Sequence, residues 1–147
     1  MIRAGRLSGV AEIVRMSAEF YPSTHYAEWT SMDEDTVADL ATMLINDHVF
    51  MVAEDQGKLV GMVGLFIIPF MFNRYVKFAG EVVWWVDPKA RGSHIAASLL
   101  SSIEQPCKDA GADRIQMVHM PNSPPQAAAL YQKMGYVQSE ISYTKDI

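Results

Sequence analysis

The chain has 147 residues, 50% of them hydrophobic and 20% charged, with a formal net charge of −5 at pH 7. A chain of this length buries roughly two-thirds of the surface its unfolded form exposes, so a single domain can hold its core without metal or disulfide, and the lone Cys107 leaves no internal bridge and points to a reducing, cytoplasmic setting. The acidic balance counts against a protein whose main affinity is for nucleic acid, because that binding rests largely on phosphate neutralisation; the longest apolar run, 59–72, is interrupted by Gly61, Gly64 and Pro69 and is too short to span a bilayer.

No repeat, low-complexity tract or linker divides the sequence, so 1–147 reads as one α/β unit. Arg3, Arg6, Glu12 and Arg15 break up the start before any apolar stretch that would serve as a signal peptide. After a short strand near Ile2, Val10, Ile13, Val14, Ser17 and Tyr21 fall on one helical face behind a candidate cap at Ser8, and Pro22 stops that helix. Ser31 and Glu34 have capping-box spacing ahead of Val37, Leu40, Ala41, Leu44 and Ile45, which predicts a second helix.

Strands are predicted over 49–53 and 58–68, joined at Asp55-Gln56-Gly57 as a hairpin. A β-rich stretch over 80–86 is closed by Asp87-Pro88, since proline cannot donate to a ladder. A helix capped by Ser93 follows, burying Ile95, Leu99, Leu100, Ile103 and Cys107, and Pro106 should kink or end it. A strand over 114–120, a helix over 124–134 with Pro125 in its first turn and Gly135 past its end, and one or two strands over 136–145 complete the order.

The chemistry concentrates at two junctions. The first runs Val86-Asp87-Pro88-Lys89-Ala90-Arg91-Gly92-Ser93-His94-Ile95-Ala96-Ala97, a strand passing through a basic turn into a helix N-terminus. A helix start offers unpartnered N–H groups and the positive end of the macrodipole, which together suit a phosphate. Gly92 allows close approach, and Arg91 and Lys89 add positive charge. The second is Leu130-Tyr131-Gln132-Lys133-Met134-Gly135-Tyr136, a helix ending in glycine before a strand.

Together these junctions resemble the GNAT superfamily of N-acetyltransferases: the first looks like its Q/R-x-x-G-x-G/A cofactor loop, the second like its L-Y-x-x-x-G-F/Y motif, and the element order matches over nearly the whole chain. His94 stands where the family usually has its second glycine, and Pro124 where many members have asparagine, with Asn122 close enough to take over a pantetheine contact. The resemblance implies a mixed, mostly antiparallel sheet flanked by helices, with splayed fourth and fifth strands forming the CoA cleft. It implies acetyl transfer from acetyl-CoA to the primary amine of a small molecule or peptide by direct attack, without a metal.

The backbone of Trp84, Trp85 and Val86 would then pair with pantetheine, while Arg91, Gly92, Ser93, His94, Ile95, Ala96 and Ala97 hold the pyrophosphate. Tyr131 is implied as the acid for the departing thiolate, and Glu81, at the opening of the fourth strand, as the base for the amine. Neighbouring Trp84, Trp85 and Phe78 would raise the Glu81 pKa; the plainer role for Glu81 is an ion pair with Lys77 or Arg74.

The four histidines lack metal-ligand spacing. The acceptor site is expected from the aromatic segments 21–29 and 69–75, with Tyr21, His25, Tyr26 and Phe72 as contacts; such linings hold a small amine, a peptide end or a second subunit in a homodimer. The alternatives to an enzyme are a CoA-binding regulatory or assembly module without turnover and an interaction domain working through its aromatic loops.

Overall fold

A computed structural model describes every residue of the chain except Ser93. Strands β1 (Ile2–Ala4), β2 (Val49–Asp55), β3 (Lys58–Phe70), β4 (Asn73–Val86) and β5 (Ala112–Gln116) lie side by side in that order. The first four are antiparallel, and β5 joins β4 in parallel. Helices α1 (Val10–Phe20) and α2 (Glu34–Asp47) cover one face; α3 (Ile95–Ser102), α4 (Glu104–Asp109) and α5 (Pro125–Lys133) cover the other.

Each face has its own core. Ile13, Met16, Ala41 and Leu44 close over Phe50, Val52, Met62 and Trp85, while Leu99, Leu100, Ile103 and Cys107 close over Ala53, Val63, Leu65 and Ala79. The side-chain alternation of a strand sends the adjacent tryptophans to opposite cores, Trp85 under α1 and α2 and Trp84 towards α5.

Local chemistry explains the element ends. Gln56 and Gly57, both at positive φ, make the two-residue turn between β2 and β3. The cap of α2 is Asp33, not Ser31: its carboxylate accepts from the Thr36 N–H at 2.8 Å and so satisfies a first-turn donor. The N-cap of α1 is Gly9, with Ser8 inside a short 3₁₀ turn. The helix expected to run through Pro106 is divided at Ile103. Proline lacks an N–H and its ring clashes with the carbonyl four residues back, at Ser102, which is where α3 stops.

Two expectations are corrected. The segment 69–75 is not a loop, because β3 and β4 continue through it to a tight turn at Met71 and Phe72 and form a long hairpin. Residues 136–147 form no strand, despite their strand-like composition.

A bulge interrupts the β3–β4 ladder. Gly64 pairs with Val83 but Leu65 pairs with Glu81, so Val82 is the extra residue. Val82 and Val83 therefore both pack towards α1 and α2, and Glu81 turns to the α5 side together with Ala79. Beside the bulge, a Cβ on Gly64 would lie 2.8 Å from Cδ2 of Phe50 and 3.1 Å from Cδ1 of Leu44. Gly64→Ala is accordingly expected to lower stability by about 1–3 kcal/mol through overpacking, measurable by urea denaturation.

Candidate active site

The β4–β5 ladder ends at Gly80 and Gln116. Beyond it β4 continues from Glu81 to Val86 paired with β3 alone, and the two strands part. At the fork, Oε2 of Glu81 accepts from the Val118 backbone N–H at 2.6 Å. From α5, the Tyr131 hydroxyl donates to the Val118 carbonyl at 2.9 Å. The two residues expected to act as base and acid are thus brought together on the backbone of one residue, and Glu81 does not take the alternative ion pair with Lys77 or Arg74. The Tyr131 ring lies between Trp84 and Tyr136, with centroids 5.3 and 5.6 Å away.

Burial controls the acidity of this cluster. Loss of hydration pushes the Glu81 carboxyl up to about 7, against the opposing pull of the Val118 N–H and the Tyr131 hydroxyl. Burial also raises Tyr131, and the adjacent Glu81 charge raises it further. Tyr136 is pushed up to about 12, again chiefly by burial.

The Asp87 N–H donates to Val60 O at 2.8 Å and so sets the ladder phase at the open end of β4. By alternation the peptide groups of Trp85 face β3, whereas those of Trp84 and Val86 face the gap. Trp85 is therefore core, only 5% exposed, and does not present its backbone to the cleft. The Val86 carbonyl accepts from Nε of Arg91 at 3.0 Å, so that guanidinium braces the strand end. Nε1 of Trp84 is buried without a hydrogen-bond partner. Such an orphaned donor beside an unpaired strand edge fits a ligand rich in amide carbonyls, as pantetheine is.

Gly92 has φ +84°, in the left-handed region that glycine tolerates. Helix α3 follows, with exposed His94 as an N-cap lacking a side-chain cap bond and with Ile95, Ala96 and Ala97 in its first turn. Ser93, expected as cap and phosphate contact, lies outside the described residues.

On the other flank, the Asn122 amide donates to the Ser23 carbonyl. One N–H of this amide joins the β5–α5 connection to the segment after α1, leaving its second N–H and its oxygen for other contacts. This link ties the segment after α1 to the same β5–α5 connection that contains Val118. The Tyr21 hydroxyl donates to Tyr26 O at 2.9 Å and also contacts Thr30 O, folding the segment back on itself.

His25, Tyr26 and Trp29 pack their rings at 4.3 to 5.2 Å, and Nδ1 of His25 is buried without a partner. Phe72, 84% exposed, belongs instead to a cluster with Phe70 and Phe78 at the hairpin tip. A groove of about 400 Å³ lies there, lined by Phe70, Asn73, Val76, Phe78, Asp113 and Arg114 and by none of the cleft residues. Among the described residues no His, Cys, Asp and Glu side chains gather as a metal-ligand group. Sequence reasoning missed Val118 altogether: it acts through its backbone, which leaves no side-chain signal.

A mixed sheet opened between its fourth and fifth strands, with a glycine turn leading into a helix at the open end, is the acetyltransferase type of α/β fold. The chain belongs to the acetyltransferase (GNAT) family, whose family model matches residues 10–136. It is similar to the ribosomal-protein-alanine N-acetyltransferase from Brucella melitensis biovar Abortus 2308, at 17% identity and a TM-score of 0.74, covering 100% of this chain and 99% of that one. It is also similar to a transcriptional regulator from Bacillus halodurans C-125, at 18% identity and a TM-score of 0.79 over 100% and 99% of the two chains. A predicted acetyltransferase with acetyl-CoA from Clostridium acetobutylicum is 14% identical with a TM-score of 0.75, covering 99% of this chain and 95% of that one. At these identities the likeness establishes the fold. Among curated proteins none matches.

Proposed function

We propose that the protein transfers an acetyl group from acetyl-CoA to a primary amine by direct attack in a ternary complex. The observation that carries this reading is the convergence of Glu81 and Tyr131 on Val118 where β4 and β5 part. Bound acetyl-CoA would supply the acetyl group as an activated thioester. The backbone of Trp84 and Val86 would hold its pantetheine arm, and Arg91, Gly92, His94 and the first turn of α3 at Ile95, Ala96 and Ala97 its phosphates.

Glu81, with a pKa of about 7, is partly ionised at neutral pH and suited to take a proton from an ammonium. Tyr131 keeps its proton across the physiological range. The Glu81 charge holds Tyr131 back as an acid, so protonation of Glu81 relieves that restraint as the thiolate departs. Acceptance of one proton thereby promotes donation of the other. Tyr21, His25 and Tyr26 would form the amine side of the cleft.

One observation favours a second reading, a CoA-binding module without turnover: the polar ends of Glu81 and Tyr131 are both already bonded to Val118. A panel of primary amines and peptide N-termini with acetyl-CoA, assayed for free thiol, separates the two. Thiol release dependent on an amine supports transfer. Tight acetyl-CoA binding with no release against any amine supports the module.

A further inference from the structure

Beyond Leu65 no strand flanks β3 on the β2 side, and before Lys77 none flanks β4, so the β3–β4 hairpin runs clear of the sheet over 66–76. It offers side chains there and not a strand edge. The Ile67 N–H is taken by Nδ1 of His48 at 3.0 Å, Pro69 on the same edge has no N–H, and the Tyr75 N–H donates to Oδ1 of Asn73 at 3.0 Å. Met71, Phe72 and Tyr75 are 82%, 84% and 83% exposed. From Lys58 to Gly80 the hairpin carries no acidic residue, and Arg74 and Lys77 lie towards its tip. The chain between Arg15 and Lys58 is the opposite, without a lysine or arginine. Glu28, Asp33, Glu34 and Asp35 gather between α1 and the first turn of α2, in the stretch that carries Tyr26 and Trp29, 40% and 49% exposed. Among the described residues none of these charges forms an ion pair, and no hydrogen bond or ring contact joins the hairpin tip to this segment.

We propose that the hairpin tip of one copy docks on segment 26–35 of a second copy, which returns its own hairpin in a two-fold symmetric exchange. Opposite charge selects the pairing: Arg74 and Lys77 come against Glu28, Glu34 and Asp35, while Met71 and Phe72 cover Tyr26 and Trp29. An apolar patch rimmed by charge has the anatomy of an interface. Both complementary surfaces belong to every chain, so one partner satisfies both, and the reciprocal contact closes at two copies. The exchange also accounts for Phe72, which in its own chain clusters with Phe70 at the hairpin tip, away from the cleft. In the dimer it reaches the segment of Tyr26, on the amine side of the cleft, so the acceptor site of each copy is completed by the other. That consequence, unlike the dimer itself, rests on the acetyl-transfer reading.

The test uses the full chain. Light scattering and sedimentation should give a dimer that dissociates on dilution. Arg74→Glu/Lys77→Glu and Glu28→Lys/Asp35→Lys, which leave the α2 cap Asp33 in place, should each be monomeric with unchanged circular dichroism. Mixed, they should form a dimer, because each supplies the sign of charge that the other lacks. The hairpin variant, altered outside the cleft, should show an amine KM raised about tenfold with acetyl-CoA affinity unchanged, and mixing should lower that KM again. Scattering needs no turnover, so failure of the exchange and failure of the acetyl-transfer reading are told apart. A wild-type monomer at every concentration overturns the proposal, as does a dimer that survives both charge reversals or folded variants that stay apart on mixing. Capture of a monomer by anionic vesicles, lost in Phe72→Ala, would assign the hairpin to a lipid surface and overturn it too. An amine KM indifferent to dissociation would remove Phe72 from the partner's site.

Discussion

Tyr131→Phe should lower kcat by about 10²–10⁴, the span of a lost general acid, with acetyl-CoA affinity nearly unchanged. The ring that packs between Trp84 and Tyr136 is retained, and only the hydroxyl is removed. Its bond to the Val118 carbonyl is lost as well, which costs stability by about 1 kcal/mol. That small cost cannot mimic the kinetic one, so steady-state kinetics alongside thermal melts separate a role in chemistry from a role in holding the fork. Wild-type kcat with chemistry rate-limiting would remove Tyr131 as the acid.

Glu81→Gln should lower kcat at pH 7 by about 10²–10⁴ and flatten the acidic limb of the pH–rate profile, because the amide oxygen can still accept from the Val118 N–H but cannot take up a proton. Stability provides a second readout of the same group. The folded-state pKa of about 7 lies above the ordinary value of 4.5, so the protonated carboxyl is the form the fold prefers. Its contribution is fully present below about pH 4.5 and is lost as pH rises through 7, a change of up to about 3 kcal/mol. Denaturation of the wild type and of Glu81→Gln across that window should diverge accordingly. Parallel curves would mean that Glu81 ionises like a solvated carboxylate.

Sequence was most legible where side-chain type and backbone demand coincide. Gly135 has φ +89° just past α5, and the same glycine defined the motif that contains Tyr131. The adjacent Trp84 and Trp85 had to point to opposite faces, and they do. The parted strands and the helix at their open end follow the expected mixed sheet.

What stayed hidden depends on the backbone or on distant partners. Val118 works through its N–H and carbonyl. The Met71–Phe72 turn carries neither glycine nor proline to mark it. The Asn122 amide is claimed by Ser23, a residue 99 positions away, and no local pattern foretells such a contact. The strands expected over 136–145 do not form, because strand-like composition is not enough without a neighbouring strand to pair with.

The extra residue at Val82 separates two halves of β4 whose facing follows opposite parity: even-numbered side chains meet the α5 side at Trp84, odd-numbered ones at Glu81 and Ala79. The orientation of the candidate base is therefore encoded as a count of residues, not as the identity of any one of them. Alanine scanning of β4 would pass over this information, because no side chain holds it. Deleting Val82 alone would leave Leu65 opposite Glu81 and Gly64 opposite Val83 in regular alternation with the Glu81 carboxyl still on the α5 side, so a strand without the bulge reaches the same facing with one residue fewer. Relatives aligned without a gap at this point could thus share every motif and still present a different residue to the cleft.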